Sequence, residues 1–346
     1  MSVSWHNQFF VHHIEYILGS HMSIPKTLQN KLYLPIISAP MFIISGPELV
    51  IAECKAGIVG SFPALNARPQ SLLGEWLTTI KTELDQYQVD NPNAIVAPYA
   101  VNLIVHKSND RLEGDVNTCI EYKVPVIITS LRALDAKLVE RIHAYGGIIF
   151  HDVINVRHAE KAIEAGVDGL VLVCAGAGGH AGTLSPFALV SEIKKIFDGP
   201  IALSGSIANG ASILSAQALG ADFAYIGTRF IATKEANADQ EYKNMLVEHS
   251  AKDIVYSSLF TGINGNYLKP SISNAGLDPE NLAAGDKNQM KFGSSGGSKS
   301  KAWKDIWGAG QGLGSIADIT DVSTIVERFK TEYDLALCRL NRLNNK

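Results

Sequence analysis

The feature that most constrains the fold of this chain is an alternation of short apolar runs with longer amphipathic stretches between Leu34 and Gly227. The turns from helix to strand resemble each other, because a glycine closes each helix and an apolar strand begins at once. Examples are Ala56-Gly57-Ile58, Ala165-Gly166-Val167 and Leu219-Gly220-Ala221. The apolar runs lack polar alternation, which is typical of parallel strands buried on both faces.

This alternation predicts eight strands with helices between them. The predicted strands are Pro35–Pro40, Gly57–Phe62, Ile95–Val105, Val124–Thr129, Gly147–Asp152, Val167–Cys174, Pro200–Ser204 and Ala221–Gly227. The predicted helices are Pro47–Lys55, Gln70–Leu84, Leu134–Tyr145, Arg157–Ala165, Pro186–Phe197 and Ala211–Leu219. Such a series favours the α/β class and a closed (β/α)8 TIM barrel. An open doubly wound sheet is the alternative. Such a fold is expected to carry a GxGxxG motif after the first strand, but this chain has Ser38-Ala39-Pro40-Met41 there.

The alternation stops after Phe230, and this change suggests the domain boundaries. We expect the barrel to comprise residues 23–235 and 317–346, with a helix at Asn237–Ser250 and a final helix at Ser323–Leu340. Residues 236–316 are predicted to be an insertion that forms the substrate-side wall, and the glycine- and serine-rich part at 257–316 is expected to form loops. Residues 1–22 are set apart from the fold as a vector leader or a native extension.

Composition excludes several function classes. The chain has 346 residues, 46% of them hydrophobic, and a formal net charge of −4, so no basic surface for nucleic acid is expected. The apolar runs are strand-length, which argues against a membrane span. Its four cysteines form no CxxC pair, a pattern that favours a reducing cytoplasm. No metal-ligand cluster or nucleophile elbow is apparent in the sequence.

The sequence Gly178-Gly179-His180-Ala181-Gly182 is the strongest signal for chemistry. It follows the buried strand predicted at Val167–Cys174, so His180 is expected just past the carboxyl end of a strand. In TIM barrels these strand ends carry the active site. Glycines on both sides of His180 allow the backbone to approach a flat ligand closely. A structural histidine is the alternative, but this position favours a functional one.

Two loops on neighbouring strands predict a phosphate site. The seventh strand runs into Ser204-Gly205-Ser206, and the eighth runs into Gly227-Thr228. In many barrels the loops after these strands bind phosphate through backbone N–H groups and a helix N-terminus. Ordinary capping of two helix starts is the alternative interpretation. The occurrence of two such loops on adjacent strands favours phosphate.

Other predicted strand ends suggest a site for a planar ring. Ala39-Pro40-Met41 follows the first strand and leaves room against the backbone, while the Asn102 amide can donate and accept at a ring edge. Asp152 ends the fifth strand, where it could orient a histidine or a ring group, or cap the next helix. These residues point to the same barrel mouth as the phosphate loops.

The motifs Ala39-Pro40-Met41, Ala177–Gly182, Ser204–Ile207 and Ile226–Phe230 together resemble the nitronate monooxygenases, which are FMN-dependent (β/α)8 barrels also called 2-nitropropane dioxygenases. The resemblance spans residues 34–235, with a weaker match at Trp307–Gly312. It implies a catalytic role, that of the active-site base, for His180. The cofactor-binding residues that it implies are Ala39, Pro40, Met41, Asn102, Asp152, Gly178, Gly179, Ser204, Gly205, Ser206, Gly227, Thr228, Gln311 and Gly312.

Within that resemblance, Tyr267 and Lys269 of the insertion are expected to form the substrate wall and could bind an anion, although a solvated loop is the alternative for Lys269. Relatives usually carry two glycines after the seventh strand, where this chain has Gly205-Ser206. Some relatives carry a lysine or glutamine near the flavin, and the counterparts here are Asp152 and Val173. We expect these departures to affect the redox properties of the bound flavin and the choice of electron donor.

The predicted activity is the FMN-dependent oxidation of alkyl nitronates, and of nitroalkanes, by O2 to carbonyl compounds and nitrite. The partners are therefore small molecules, and the protein is expected to be a monomer or a homodimer. A second hypothesis keeps the barrel and FMN but uses NAD(P)H, as a quinone reductase or an enoyl-thioester reductase. A third hypothesis is a flavin-binding protein without turnover. A barrel that binds a phosphorylated sugar is a further alternative.

Overall fold

The computed structural model describes residues 24–132, 135–285 and 305–344, and its central feature is a TIM barrel of eight parallel strands. The class predicted from the alternation of apolar runs is thus confirmed. The barrel strands are β1 (Ile36–Ser38), β2 (Ser61–Pro63), β3 (Ala100–Val105), β4 (Val126–Leu131), β5 (Ile148–Val153), β6 (Gly169–Val173), β8 (Ile201–Ser204) and β9 (Phe223–Ile226). A short strand, β7 (Gly179–His180), lies outside the barrel.

Helices follow most of the barrel strands, as the sequence predicts. The α-helices of the described residues, including the later ones that follow no barrel strand, are α1 (Pro47–Lys55), α2 (Leu72–Asp90), α3 (Leu112–Glu121), α4 (Ala136–His143), α5 (Val156–Glu164), α6 (Pro186–Ile193), α7 (Gly210–Leu219), α8 (Thr228–Ile231), α9 (Gln240–Glu248), α10 (Lys269–Asn274) and α11 (Val322–Asn344). Within the described ranges, no helix is both long and apolar enough to cross a membrane.

The strands close into a circle at β1. On one side β1 pairs with β9, where Ile37 lies opposite Tyr225. On the other side Ile37 bridges to Val59, just before β2. Two backbone hydrogen bonds hold this bridge, from Ser38 N to Val59 O at 2.8 Å and from Val59 N to Ile36 O at 3.0 Å. An open sheet leaves its two end strands without a neighbour on one side, whereas here β1 and the segment just before β2, which stand at the two ends of the strand order, are bridged to each other. The open doubly wound sheet is therefore excluded.

Alternation along each strand places one set of side chains inside the barrel. The buried apolar set that fills the interior is Ile37, Ala100, Ile128, Phe150, Val171, Ala202 and Phe223. The residue two positions later on each strand faces the same way, at the carboxyl end of the barrel. This second set is Ala39, Asn102, Ser130, Asp152, Val173, Ser204 and Tyr225, and we call it the floor. The floor is therefore a consequence of the two-residue period of β-strands.

The insertion contains a small sheet where loops were expected from composition. Its strands are β10 (Ile254–Ser257) and β11 (Gly265–Leu268), and β11 also pairs with β7, so the sheet has three strands. The side chain of Asn266 donates to Ala177 O at 2.7 Å, which fixes β11 to the loop after β6. The insertion therefore packs on the barrel mouth through backbone pairing. The run Gly293–Ser298 lies outside the described residues.

The last helix, α11, returns to the barrel and packs against α7. Glu332 accepts a hydrogen bond from Gly210 N at 2.7 Å, and the Tyr333 hydroxyl donates to Gln217 Oε1 at 2.5 Å. The Phe230 and Phe329 rings meet edge to face with centroids 6.2 Å apart. This helix begins and ends within four residues of the prediction. Residues 1–22, which were set apart from the fold, lie outside the described residues.

Candidate active site

A cavity of about 940 Å³ lies between the carboxyl ends of the barrel strands and the insertion. All seven residues of the floor line it. The opposite side is lined by residues of β7, β10 and the loop before β11, which we call the roof: His180, Tyr256, Ile263 and Asn264. A volume of this size is at the upper end of the range for small-molecule and cofactor sites.

His180 lies in the roof because β7 is an edge strand of the small sheet, with Gly265 of β11 as its neighbour. Its Nε2 lies 2.9 Å from the Thr261 hydroxyl oxygen. Thr261 donates its own hydrogen to Ile263 O at 3.0 Å, so its oxygen accepts from His180. This arrangement favours the tautomer with hydrogen on Nε2.

The surroundings of His180 keep its ring neutral. The side chain is half-buried, and desolvation lowers its pKa to about 4. A neutral imidazole at physiological pH is able to accept a proton, which is what a general base requires. A pKa this low also makes the ring a weak base, so proton transfer to it requires stabilisation of the imidazolium, for example by a neighbouring anion.

Polar side chains of three consecutive barrel strands form a relay across the floor. Asn102 Nδ2 donates to Ser130 Oγ at 2.8 Å, and Ser130 Oγ donates to Asp152 Oδ2 at 2.6 Å. The other hydrogen bond of Asn102 Nδ2 goes to Ile128 O at 3.2 Å. Burial raises the pKa of Asp152 to about 7, although the Ser130 hydrogen bond opposes the shift. Asp152 is thus a carboxyl group that carries a proton for part of the time near neutral pH.

Two floor atoms have no hydrogen-bond partner in the described part of the chain. They are Asp152 Oδ1 and the Tyr225 hydroxyl. Tyr225 is only 7% exposed, and burial raises its pKa with a further contribution from the Asp152 charge, so the two groups are electrostatically coupled. Neither Ser130 nor Tyr225 was identified from the sequence. The two-residue period from Ile128 and Phe223 is the signal that could have found them.

Glycines make the side of the cavity that lies between the barrel and the insertion. A Cβ on Gly178 would lie 2.8 Å from Gly310 N and 3.0 Å from the Thr228 hydroxyl oxygen, so no other residue fits without movement. Gly310 N donates to that same hydroxyl at 2.9 Å. This side is therefore built from backbone in close contact. Gly178, Gly179, Gly227 and Thr228, which are predicted to bind the cofactor, all line the cavity.

The other residues predicted to bind the cofactor, at 205–206 and 311–312, lie close to each other beside the cavity. Ser206 N and Gln311 N both donate to Gly176 O, at 3.3 Å and 2.9 Å. A Cβ on Gly312 would lie 2.9 Å from Ser206 O, and a Cβ on Gly205 would lie 2.7 Å from Ala175 O. The structure thus joins the loop after β8, the seventh strand of the barrel, to the segment at 310–312. Of the residues predicted at this strand end, only Ser204 lines the cavity.

The first strand end lines the cavity as expected. Ala39, Pro40 and Met41 all contribute, and Gly227 packs against them, since its Cβ position lies 3.3 Å from Ala39 Cβ. The side chain of Asn66 holds this turn by donating to Met41 O at 2.9 Å. The backbone around Pro40 is therefore held in place by a residue outside the motif.

The insertion residues predicted for the substrate wall lie elsewhere. Tyr267 is buried and packs edge to face on Phe260, with ring centroids 4.9 Å apart, in a separate apolar cluster. Lys269 pairs with Glu280 at 2.7 Å. Neither residue lines the cavity, because β11 directs Tyr267 away from it and Lys269 begins the following helix. A stacked pair that sequence reasoning missed, Tyr242 and Trp307, lines the cavity instead.

The described lining of the cavity lacks the positively charged side chains that a site for an anion usually has. Among the described residues that line it there is no lysine or arginine, and the ionisable side chains with acidic or imidazole groups are Asp152, Asp239, His158 and His180. Three of the exposed large apolar side chains, Ile43, Ile154 and Tyr256, also line it. The described wall thus favours uncharged, apolar groups.

Comparison with known proteins gives a consistent family assignment. The family model for nitronate monooxygenase matches residues 25–331. The chain is 26% identical over 285 residues to a nitronate monooxygenase of Paraburkholderia phytofirmans, covering 71% of this chain and 76% of that protein. It is 24% identical over 268 residues to (3aS,4S,5R,7aS)-5-hydroxy-7a-methyl-1-oxo-octahydro-1H-indene-4-carboxyl-CoA dehydrogenase of Rhodococcus jostii, covering 77% of this chain and 72% of that protein.

Among solved structures, nitroalkane oxidase from Streptomyces ansochromogenes matches with a TM-score of 0.73 at 21% identity. The match covers 91% of this chain and 100% of that one. At this level of identity the likeness shows a common fold, and it agrees with the barrel described above.

Proposed function

Because the chain belongs to the nitronate monooxygenase family, we propose that this oxidoreductase binds FMN and oxidises alkyl nitronates with O2 to carbonyl compounds and nitrite. Neutral nitroalkanes are also proposed as substrates, after removal of the α-proton. The observation that carries this proposal is His180, a neutral histidine held by Thr261 in the wall of a large cavity. Its imidazole ring is the group proposed to take that proton.

Features of the cavity support a flavin as the resident cofactor. Gly178 and Gly310 let two backbone segments pack closely beside the cavity, because a Cβ on Gly178 would lie 2.8 Å from Gly310 N and a Cβ on Gly310 would lie 3.1 Å from Gly178 N. The floor offers a buried carboxylate oxygen and a buried phenol without partners. Ser204, Gly227 and Thr228, at the ends of β8 and β9, would hold the phosphate, with Ala39, Pro40 and Met41 against the ring. The chemistry that bound FMN supplies is electron transfer from the nitronate to O2.

The residues of this chain perform the remaining tasks. His180 takes the α-proton of the nitroalkane on its imidazole ring, and the C–H bonding pair stays on the substrate as the nitronate. The imidazolium that forms is adjacent to that new negative charge and stabilises it. Thr261 fixes the ring orientation during this transfer. Apolar side chains such as Ile154 and Ile263 line the cavity and limit water near the reacting carbon.

Oxygen uptake is the direct test of this activity. The FMN-loaded protein is given the nitronate of a small alkane without NADH, and O2 consumption and nitrite are measured together. We expect rapid uptake with nitrite release. Stoichiometric FMN without turnover of any donor would contradict the proposal and favour a flavin-binding protein that is not an enzyme. A protein that takes up no FMN would favour the sugar-phosphate barrel.

A second candidate is reduction of an enoyl thioester or a quinone with NAD(P)H as the electron donor. The observation in its favour is the similarity to the CoA dehydrogenase of Rhodococcus jostii, together with the apolar cavity wall. The discriminating measurement is anaerobic mixing with NADH. Fast bleaching of the flavin absorbance, with no oxygen uptake on nitronates, would make the reductase the better assignment.

A further inference from the structure

One large apolar residue that lines the cavity has a backbone conformation that its residue type disfavours. Five non-glycine residues of the described chain have φ in the left-handed region, namely Asn30, Ile43, Lys123, Leu131 and Ser206. Of these, Ile43 and Leu131 line the cavity. The φ of Ile43 is 69°, which is a genuine outlier because a β-branched side chain crowds the backbone there. This conformation costs free energy of folding.

Two asparagine side chains hold Ile43 in this conformation. Ile43 N donates to Asn66 Oδ1 at 3.0 Å, and Asn237 Nδ2 donates to Ile43 O at 2.9 Å. The amide of Asn66 also donates to Met41 O at 2.9 Å and to Ser45 O at 2.8 Å, on either side of Ile43. Both backbone polar groups of Ile43 are therefore bound by residues outside the turn. A disfavoured conformation persists when its surroundings over-determine it in this way.

The Ile43 side chain contributes little to the core in return. It is 48% exposed, whereas the next residue, Ile44, is 8% exposed and belongs to a core cluster with Leu49 and Phe230. Ile43 is a member of none of the apolar clusters that the described residues form. Burial in the fold therefore does not offset the cost of its backbone conformation. Residues held in this way cluster at ligand clamps and active sites, so the position indicates contact with a ligand.

The neighbourhood of Ile43 indicates the chemistry of that ligand. The described lining of the cavity contains no lysine or arginine, and Ile154, which is 38% exposed, also lines it. An apolar group placed against Ile43 removes apolar surface of both partners from water, and this stabilises the complex. A short or charged ligand leaves that surface exposed. The position therefore fits an uncharged hydrocarbon chain.

We propose that Ile43 is a specificity-determining residue that packs against the alkyl chain of the substrate and favours longer chains over shorter ones. Asn66 and Asn237 are the positioning residues that hold its backbone. The inference rests on the proposed function in taking the substrate to be a nitroalkane. An unreactive ligand with the same kind of chain tests the contact separately from the reaction.

The first test is the Ile43→Gly variant, which removes both the side chain and the disfavoured conformation. We expect the ratio of kcat/KM for 1-nitrohexane to that for nitroethane to fall by about tenfold. The Tm of the cofactor-free variant should equal or exceed that of the wild type, because glycine adopts positive φ at little cost. A merely structural isoleucine would give a lower Tm and an unchanged ratio. Ile43→Leu keeps an apolar side chain and should retain most of the ratio.

Lys123→Gly is the matched control for the backbone effect. Lys123 has a φ of 50° and is exposed after α3, and it is not among the residues that line the cavity. Its replacement by glycine should likewise maintain or raise the Tm, but the ratio of the two substrates should stay within about twofold of the wild-type ratio. A fall of the ratio in Lys123→Gly as large as that in Ile43→Gly would overturn the role of the Ile43 side chain.

The second test uses hexanamide and propanamide, neutral ligands that have a planar head group and are not oxidised. Their dissociation constants are measured by ligand-observed NMR with the protein as purified. The wild type should bind hexanamide at least about tenfold more tightly, and Ile43→Gly should lose most of this preference. A wild type without the preference, or an Ile43→Gly variant that keeps it within about twofold, overturns the inference. Loss of the preference in a protein that consumes no O2 with nitronates supports the role of Ile43 and contradicts the proposed function.

Discussion

His180 Nε2 lies 2.9 Å from the hydroxyl oxygen of Thr261, a residue 81 positions later in the chain. The contact joins β7, the short strand that follows β6 in the chain, to the loop between β10 and β11 of the insertion. Neither segment by itself fixes the histidine ring. The proposed base is therefore oriented by the insertion, whose strand β11 also pairs with the His180 backbone.

Replacement of the base is the first prediction. His180→Gln should lower the rate of oxidation of a neutral nitroalkane by about 100-fold or more, because the variant has no group to accept the α-proton. A nitronate prepared in advance needs no such step, so its oxidation should fall much less. Oxygen uptake with the two substrate forms measures the difference.

His158→Gln is the matched control for that experiment, because His158 also lines the cavity but is exposed on α5. It should keep nearly full activity with both forms of the substrate. Full activity of His180→Gln on the neutral nitroalkane would exclude the base role.

The Thr261 contact gives a second prediction. Thr261→Val removes the hydroxyl and leaves the shape of the side chain, so we expect kcat for neutral nitroalkanes to fall by about tenfold through loss of ring orientation. Thr261→Ser keeps the hydroxyl and should restore most of the rate. Equal losses of kcat in Thr261→Val and Thr261→Ser would mean that the rate depends on the methyl group or on the loop, and not on the hydrogen bond.

We expect the free energy of unfolding to decrease at acid pH because of the lowered pKa of His180. Desolvation lowers the folded-state pKa of this group from 6.5 to about 4, so between these values the unfolded chain binds a proton that the folded protein does not. The free energy of unfolding therefore decreases as the pH falls through this window, and the His180 contribution is constant above it. His180→Gln should be less sensitive to acid there. Urea unfolding of both proteins without cofactor, at about pH 7 and about pH 5, checks the sign.

The backbone contact at Gly178 gives a fourth prediction. Gly178→Ala places a Cβ 2.8 Å from Gly310 N, so the two segments must separate and the cavity side must open. We expect a lower Tm and weaker FMN binding. Gly314→Ala is the matched control, because the Cβ there would lie 3.7 Å from its nearest neighbour, Ser250 Cβ, in ordinary contact. Equal effects of the two changes would exclude a special role for the close approach.

The charge of the cavity predicts substrate preference. Its described lining contains no lysine or arginine but has Asp152 and Asp239, so a second negative charge on the substrate has no cation to pair with. We expect kcat/KM for 3-nitropropanoate to be at least about tenfold below that for 3-methyl-1-nitrobutane, which has a similar shape but no carboxylate. Rates within about twofold of each other, or faster oxidation of the carboxylate, would contradict this.

Local sequence patterns predicted several of the residues that line the cavity, and their roles in binding and catalysis stay predictions. Buried apolar runs and glycine helix ends predicted the barrel, and His180 and Gly178 were found from their place after a strand. Ser130 and Tyr225 were missed, because single polar residues inside an apolar strand resemble ordinary strand residues. Tyr267 and Lys269 were expected in the substrate wall, but Tyr267 packs on Phe260 and Lys269 pairs with Glu280.

The sequence by itself determined the class of fold, the order of its elements and the strand ends at which chemistry is expected. These depend on hydrophobic period and turn residues, which act over a few neighbouring positions. Only the tertiary structure decided that Thr261 contacts His180, that Asn102 donates to Ser130, and that Asp152 and Tyr225 each bring to the floor a buried atom without a partner among the described residues. Such pairings join residues that are distant in the chain. They arise from barrel closure and from the register of β7 on β11, which no local pattern specifies.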